Sequence, residues 1–226
     1  MNLYFLVEDS GSGKKIYESW IKLYFPNIAK VDASHLVREN NCVVVSGKGY
    51  PSYLNRIPES LQDITEHGGY DHFFICIDTE EMSCEEKKME IESLLISAPS
   101  FNNTHIILHH CCIETWFLGH AKMMKSQPEG ETLRRFKNFY DVSIRDPELM
   151  PTFDGYYVRA QFHFKYFQEM CREHHGVYYS KASCGVVFER HFLEELKDRV
   201  RRTNHLGSFS GFVEILSRLQ TSNITS

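Results

Sequence analysis

Residues 73–80 read Phe73-Phe74-Ile75-Cys76-Ile77-Asp78-Thr79-Glu80. Five apolar residues in an unbroken row are the pattern of a strand covered on both faces; a half-exposed strand would alternate. The acids that follow at once mark where such a strand leaves the core. Three more runs of this kind occur. Leu3–Val7 ends in Glu8-Asp9, residues 42–45 end in Ser46-Gly47-Lys48-Gly49, and residues 106–108 form the last. Between them lie helical patterns. Ile16, Trp20, Ile21 and Tyr24 share one face, closed by Pro26. Leu54, Ile57, Leu61 and Ile64 recur at helical spacing, with a kink or restart expected at Pro58 and a break at Gly68-Gly69. Residues 84–97 are expected to turn Met89, Leu94 and Leu95 inward, with acids at the favourable end of the helix dipole. Residues 114–124 predict a fourth helix. Strands alternating with helices predict an α/β fold built on a mostly parallel sheet flanked by helices.

The second half is irregular at first. Residues 126–131 are polar and read as a loop, 132–141 as a helix, and 146–155, with two prolines and a glycine, as irregular chain. Residues 161–172 form an aromatic-rich helical pattern. Residues 188–202 form an amphipathic helix with Phe188, Phe192, Leu193, Leu196 and Val200 on one face, and 209–219 a last helix. The expected organisation is an α/β domain over residues 1–125 and a mainly helical C-terminal extension over 126–226, packed on it.

With 226 residues, 24% charged and 42% hydrophobic, the chain has globular composition, which excludes disordered and collagen-like classes. No stretch reaches the ~18 apolar residues of a membrane helix. The apolar start lacks a preceding Lys or Arg, so no signal peptide is expected and the reading places the protein in the cytoplasm. A net charge of −5 argues against a nucleic-acid footprint over the whole surface, though not against a local groove or a metal-bridged contact. Seven cysteines without a C-x-x-C pair read as reduced, buried thiols.

In open parallel sheets, ligands bind beyond the carboxyl ends of the strands. There the sequence places Glu8, then Gly47 and Lys48, then Asp78, Glu80 and Glu81, then Glu114. Two carboxylates about 6 Å apart at an effective dielectric of about 20 repel by about 3 kcal/mol. Several such pairs rival the stability of a domain. A converged acidic cluster must hold protons, pair with lysines or bind a cation. Oxygen donors favour Mg²⁺ or Mn²⁺.

This pattern resembles the Toprim domain, which carries a glutamate after its first strand and a D-x-D motif after its third. Phe5-Leu6-Val7-Glu8 corresponds to the first and Ile75-Cys76-Ile77-Asp78-Thr79-Glu80 to the second, with glutamate in its last place. Gly47 falls where the family often has a glycine. Cys112-Ile113-Glu114-Thr115-Trp116-Phe117-Leu118 resembles the E-x-W-[LF]-L segment of RloB-like proteins. Ser208-Phe209-Ser210-Gly211-Phe212 and Tyr179-Ser180-Lys181 resemble their later S-F-x-x-F and Tyr-x-Lys stretches. Such proteins, like OLD nucleases and the Toprim effector of the PARIS system, act in bacterial anti-phage defence. The resemblance implies a Mg²⁺- or Mn²⁺-dependent endonuclease cleaving RNA, including tRNA, or DNA. It implies a toxic effector restrained by a larger ATPase partner, and it allows a homodimer. By it, Glu8 is general base or acid and a metal ligand, Asp78 and Glu80 hold Mg²⁺, and Glu81 and Glu114 serve a second ion. Lys14, Lys15, Lys48 and Lys181, with Gly47, would meet phosphate. The departure from D-x-D at Glu80 supports an alternative: a catalytically weakened Toprim module that docks on a partner and senses a phage product.

Other signals carry less. Gly11-Ser12-Gly13-Lys14-Lys15 lacks the glycine and the Ser or Thr of a phosphate loop. His109-His110-Cys111-Cys112 on a strand would alternate between faces and cannot give four ligands to one zinc. Lys197, Arg199, Arg201 and Arg202 read as a solvated basic helix end.

Overall fold

The computed structural model describes residues 1–153 and 158–224. Its strands are β1 (Leu3–Val7), β2 (Ala29–Val31), β3 (Asn41–Ser46), β4 (His72–Asp78) and β5 (Thr104–His109). They form one parallel sheet in the order β2-β3-β1-β4-β5. The helices are α1 (Ser12–Tyr24), α2 (Ser52–His67), α3 (Cys84–Ile96), α4 (Ile113–Phe117), α5 (Glu131–Phe139), α6 (Arg159–His175), α7 (Arg190–Thr203) and α8 (Gly207–Ile224). The protein is an α/β fold of the Toprim-like kind anticipated, with a mainly helical C-terminal region.

Chain contacts divide it into two compact units, where the sequence reading drew one boundary near residue 125. The first comprises Met1–Ile77, Ser83–Leu108 and Glu214–Ser226; the second comprises Asp78–Met82 and His109–Val213.

The first unit holds most of the sheet. Val7 of β1 stands opposite Ser46 of β3 and Cys76 of β4, so the central strands end nearly level. Leu3, Tyr4, Phe5 and Leu6 are fully buried, as continuous apolar runs require of a doubly covered strand. Phe5 stacks on Phe74 at 4.1 Å, and Tyr4 meets Phe73 edge-on. From α2, Tyr53 donates its hydroxyl to the carbonyls of Leu6 and Cys76, at 3.0 and 3.1 Å. That anchor requires a close approach at Gly47. A Cβ there would lie 2.4 Å from Tyr53 Cδ2 and 2.9 Å from its Cα. Gly47→Ala is therefore expected to cost about 1–3 kcal/mol by overpacking against backbone. Thermal melting followed by circular dichroism checks this, and an unchanged midpoint would remove the packing role.

Several sequence expectations change. β2 was missed because three residues, two of them exposed, carry no periodic signal. Helix α2 runs through Pro58 without a restart. Met89 is exposed, and Lys87 and Ile91 take the buried positions of α3. The Lys87 ammonium pairs with Glu90 at 2.7 Å and lies over the Tyr50 ring, which lets its apolar stem go inward.

The second unit packs α4 to α7 around Trp116, Phe117, Phe162, Tyr166, Phe167 and Phe192, all buried. Here the helix expected over 114–124 is only Ile113–Phe117, followed by a short turn at Ala121–Met123. The chain tightens because Gly119 and His120 bond back to the Trp116 and Phe117 carbonyls. Phe188 lies in the turn before α7, which starts at Arg190. Arg199 is buried, not part of a solvated basic face; it donates to the carbonyls of Val142, Ser143 and Arg145. Helix α6 ends at Gly176, whose left-handed backbone closes it. Of the stretch expected to be irregular, Pro147–Leu149 is a short turn, and residues 154–155 lie outside those described. Among the described residues no helix is long and apolar enough to cross a membrane.

Candidate functional site

The second unit contains a cavity of about 540 Å³ whose lining includes Asp78, Glu80, Glu114, Lys165 and Lys181. Three carboxylates and two ammonium groups on a partly apolar wall, with Phe164 and Val158 beside them, make a site for a charged ligand.

The acids are held by a knot of backbone bonds. Asp78 is the last residue of β4. Next to it, Thr79 donates its N–H to the His109 carbonyl at 3.0 Å, and its hydroxyl accepts from Cys111 N at 2.8 Å. Glu80 N donates to the Cys111 carbonyl at 2.8 Å. The chain needs a left-handed residue to make this turn, and Glu80 supplies it with φ 53°. For a residue with a Cβ such a conformation costs about 1–2 kcal/mol, sustained only where surrounding bonds over-determine it. His109 Nδ1 lies 2.6 Å from Asp78 Oδ1, and its ring stands edge-on to Trp116 at 4.5 Å. His109 thus fixes the orientation of the Asp78 carboxylate.

Glu114 enters from the first turn of α4 and is 4% exposed. The Tyr179 hydroxyl donates to its Oε1 at 3.0 Å. Burial pushes the Glu114 carboxyl above its ordinary range, while the Tyr179 bond and the charge of Lys181 pull it back in part. Its folded pKa exceeds its unfolded one, so the native state binds the extra proton. Stability from this group is full at acid pH. It falls as pH rises from the ordinary carboxylate range to the raised folded value, then stays level. Glu114→Gln keeps an acceptor for Tyr179 and removes the buried charge. It is expected to raise the thermal midpoint at pH 7–8 in chelator and to flatten this pH dependence. Melts at several pH values check it; a lower midpoint at neutral pH would contradict a carboxylate whose burial outweighs its compensation by Tyr179 and Lys181.

The resemblance segments also meet within this unit. Trp116 Nε1 donates to Ser208 Oγ at 2.7 Å, and Ser208 donates on to Glu148. Phe212 stacks on Trp116 and Phe209 meets it edge-on. Glu81, exposed, accepts from Arg159 N at 2.8 Å, and the Arg159 guanidinium donates to the Glu80 carbonyl.

The remaining expected residues belong to the first unit. Glu8 follows β1, and its carbonyl accepts from Gly49 N at 2.8 Å, while Gly47 N donates to Val7. Lys48 is exposed in a left-handed turn with Gly49. Lys14 pairs with Glu18 at 3.9 Å, and Lys15 is exposed. The Asp9 carboxylate accepts from Gly11 N and Gly13 N at 2.7 and 3.1 Å, so the protein itself engages the donors at the start of α1.

Sequence reading missed His109 and Lys165. In the sequence His109 stands only as one of four consecutive candidate ligands, and Lys165 sits inside an aromatic helix with nothing to mark it. Asp78, Glu80 and Glu114 line one cavity, but among the described residues their carboxylates do not stand within 4.8 Å of one another as a preassembled ligand group; as oxygen donors they suit a hard divalent ion such as Mg²⁺ or Mn²⁺ that would draw them together. Compared with protein-family models, curated proteins and solved structures, the chain finds no match in any of the three, and the functional reading rests on this geometry.

Proposed function

We propose that the protein is a Mg²⁺- or Mn²⁺-dependent endonuclease that hydrolyses phosphodiester bonds in RNA, with tRNA one candidate, or in DNA. The observation that carries the reading is the convergence of Asp78, Glu80 and Glu114 with Lys165 and Lys181 on one cavity. Asp78, Glu80 and Glu114 would hold the metal, which supplies Lewis-acid stabilisation of the phosphate and a more acidic water. His109 keeps Asp78 oriented, and the Tyr179 hydroxyl does the same for Glu114. Lys181 and Lys165 neutralise phosphate charge and steady the developing charge of the leaving oxygen. The resemblance adds a defence setting: a toxic effector, active in the cytoplasm, held in check by a partner ATPase.

The purified protein, alone and with that partner, is incubated with tRNA and with duplex DNA in Mg²⁺, Mn²⁺ or chelator. Cleavage that needs metal and falls about 10²-fold or more in Lys181→Ala supports the reading. Absence of cleavage under every condition would sink it in favour of the weakened binding module. Glu8, in the first unit, is tested by itself. If it is the general base, Glu8→Gln lowers the rate about 10²–10⁴-fold; a rate unchanged from wild type removes it from the mechanism.

A further inference from the structure

A second cluster in the same unit has different chemistry. Donor atoms of Cys111, Cys112 and His163 lie within 4.8 Å of one another, and all three residues are buried. Strand alternation argued that neighbouring cysteines here face opposite ways. The chain breaks that alternation: β5 ends at His109, and Cys111 takes φ 74°, left-handed for a non-glycine residue. This turn brings the two thiols to one side. His163 reaches them from α6 and is fully buried. Its Nδ1 lies 2.7 Å from Thr115 Oγ1, which leaves Nε2 buried without a hydrogen-bond partner. A buried ring nitrogen with no partner is costly, and native structures rarely leave one without a reason. With Nδ1–H donating to Thr115, Nε2 presents a lone pair, the arrangement by which metal-ligating histidines are usually held.

We propose that Cys111, Cys112 and His163 form a binding site for a thiophilic d¹⁰ cation, Zn²⁺. Two sulfurs and an imidazole exclude Mg²⁺ and Ca²⁺ as occupants, and the set matches the two-cysteine, one-histidine group that leaves a fourth zinc position open. With Zn–S and Zn–N lengths of about 2.3 and 2.0 Å, tetrahedral donors stand roughly 3.5–3.8 Å apart. The donor atoms, within 4.8 Å of one another, would draw together by about 1 Å to reach that spacing. The thiols are unbridged, as ligation requires. The cluster shares Cys112 with the lining of the carboxylate cavity but none of that cavity's carboxylates, so its donor set is distinct from that of the nuclease reading.

Co²⁺ is the probe. Reduced, metal-free full-length protein is titrated with Co²⁺ and then with Zn²⁺. The expected result is a thiolate-to-cobalt charge-transfer band in the near ultraviolet and visible bands of a tetrahedral ion. Both saturate at one equivalent and disappear when one equivalent of Zn²⁺ is added. Cys112→Ser and His163→Gln are each expected to weaken Co²⁺ binding at least tenfold, and Glu80→Ala to leave the bands in place. Circular dichroism verifies that each variant folds. The wild-type spectrum decides even if one does not: no charge-transfer band at saturating Co²⁺ overturns the proposal. Bands that persist in folded Cys112→Ser, or that vanish in Glu80→Ala, overturn it equally.

Discussion

Asp78→Asn is expected to lower metal-dependent cleavage by about 10³-fold or more while leaving the melting temperature within a few degrees of wild type. The substitution is nearly isosteric, and the amide oxygen still faces His109 Nδ1, 2.6 Å from Asp78 Oδ1. What changes is charge. A neutral amide is a poor ligand for a hard divalent ion, and with Glu114 buried Asp78 and Glu80 carry most of the accessible negative charge of the cavity. Loss of one anionic ligand therefore weakens metal binding and the stabilisation of charge in the transition state together. His109→Gln is the graded companion. It keeps the carboxylate but frees its orientation, and partners of this kind are typically worth 10–100-fold in affinity or activity. The expected order is wild type, His109→Gln, Asp78→Asn, with the His109→Gln deficit partly recovered at high Mn²⁺. Rates over a metal titration check this order. If Asp78→Asn retained a tenth of wild-type activity or more, the metal would have to be held elsewhere.

The elements that decide the sheet were legible because burial on both faces leaves no other option for runs such as Leu3–Val7 and residues 73–77. Helix ends were less legible. The short α4 stops because backbone groups at Gly119 and His120 turn back on Trp116 and Phe117, and no periodicity records that. The same holds for Met89, which lost its inward place to the stem of a lysine whose charge finds Glu90. That Asp78, Glu80 and Glu114 share a cavity was legible because strand ends are few and carboxylates there are conspicuous. Lys165 and the role of His109 are not legible in the sequence, since only the fold brings α6 to the cavity wall and sets the His109 ring against Asp78. Strand alternation hides the nearness of the two cysteines, and the chain departs from that alternation through one left-handed residue at Cys111.

The largest stability effect is expected from Trp116→Ala, about 3–5 kcal/mol. For a domain of this size each kcal/mol moves the midpoint by about 2–4 °C, so the drop is roughly 6–20 °C. The indole is fully buried, stacks on Phe212 at 5.7 Å and meets Phe209 at 5.3 Å. It also donates Nε1–H to Ser208, which in turn serves Glu148, itself only 9% exposed. Removing the ring leaves a cavity and strips a donor from a chain of partly buried polar groups. Trp116→Phe separates these contributions, because it refills most of the volume but supplies no donor; its cost is expected near 1–3 kcal/mol. If the Ser208 bond is the coupling, Trp116→Phe combined with Ser208→Ala loses less than the sum of the single changes, and a double-mutant cycle by chemical denaturation measures the difference. Strict additivity would mean that Ser208 and Trp116 act separately. Trp116 also bears on the chemistry, since its edge contact holds the His109 ring that orients Asp78. Trp116→Phe, which stays folded, is therefore expected to show a cleavage deficit like that of His109→Gln, whereas an equally destabilising change remote from His109 is not.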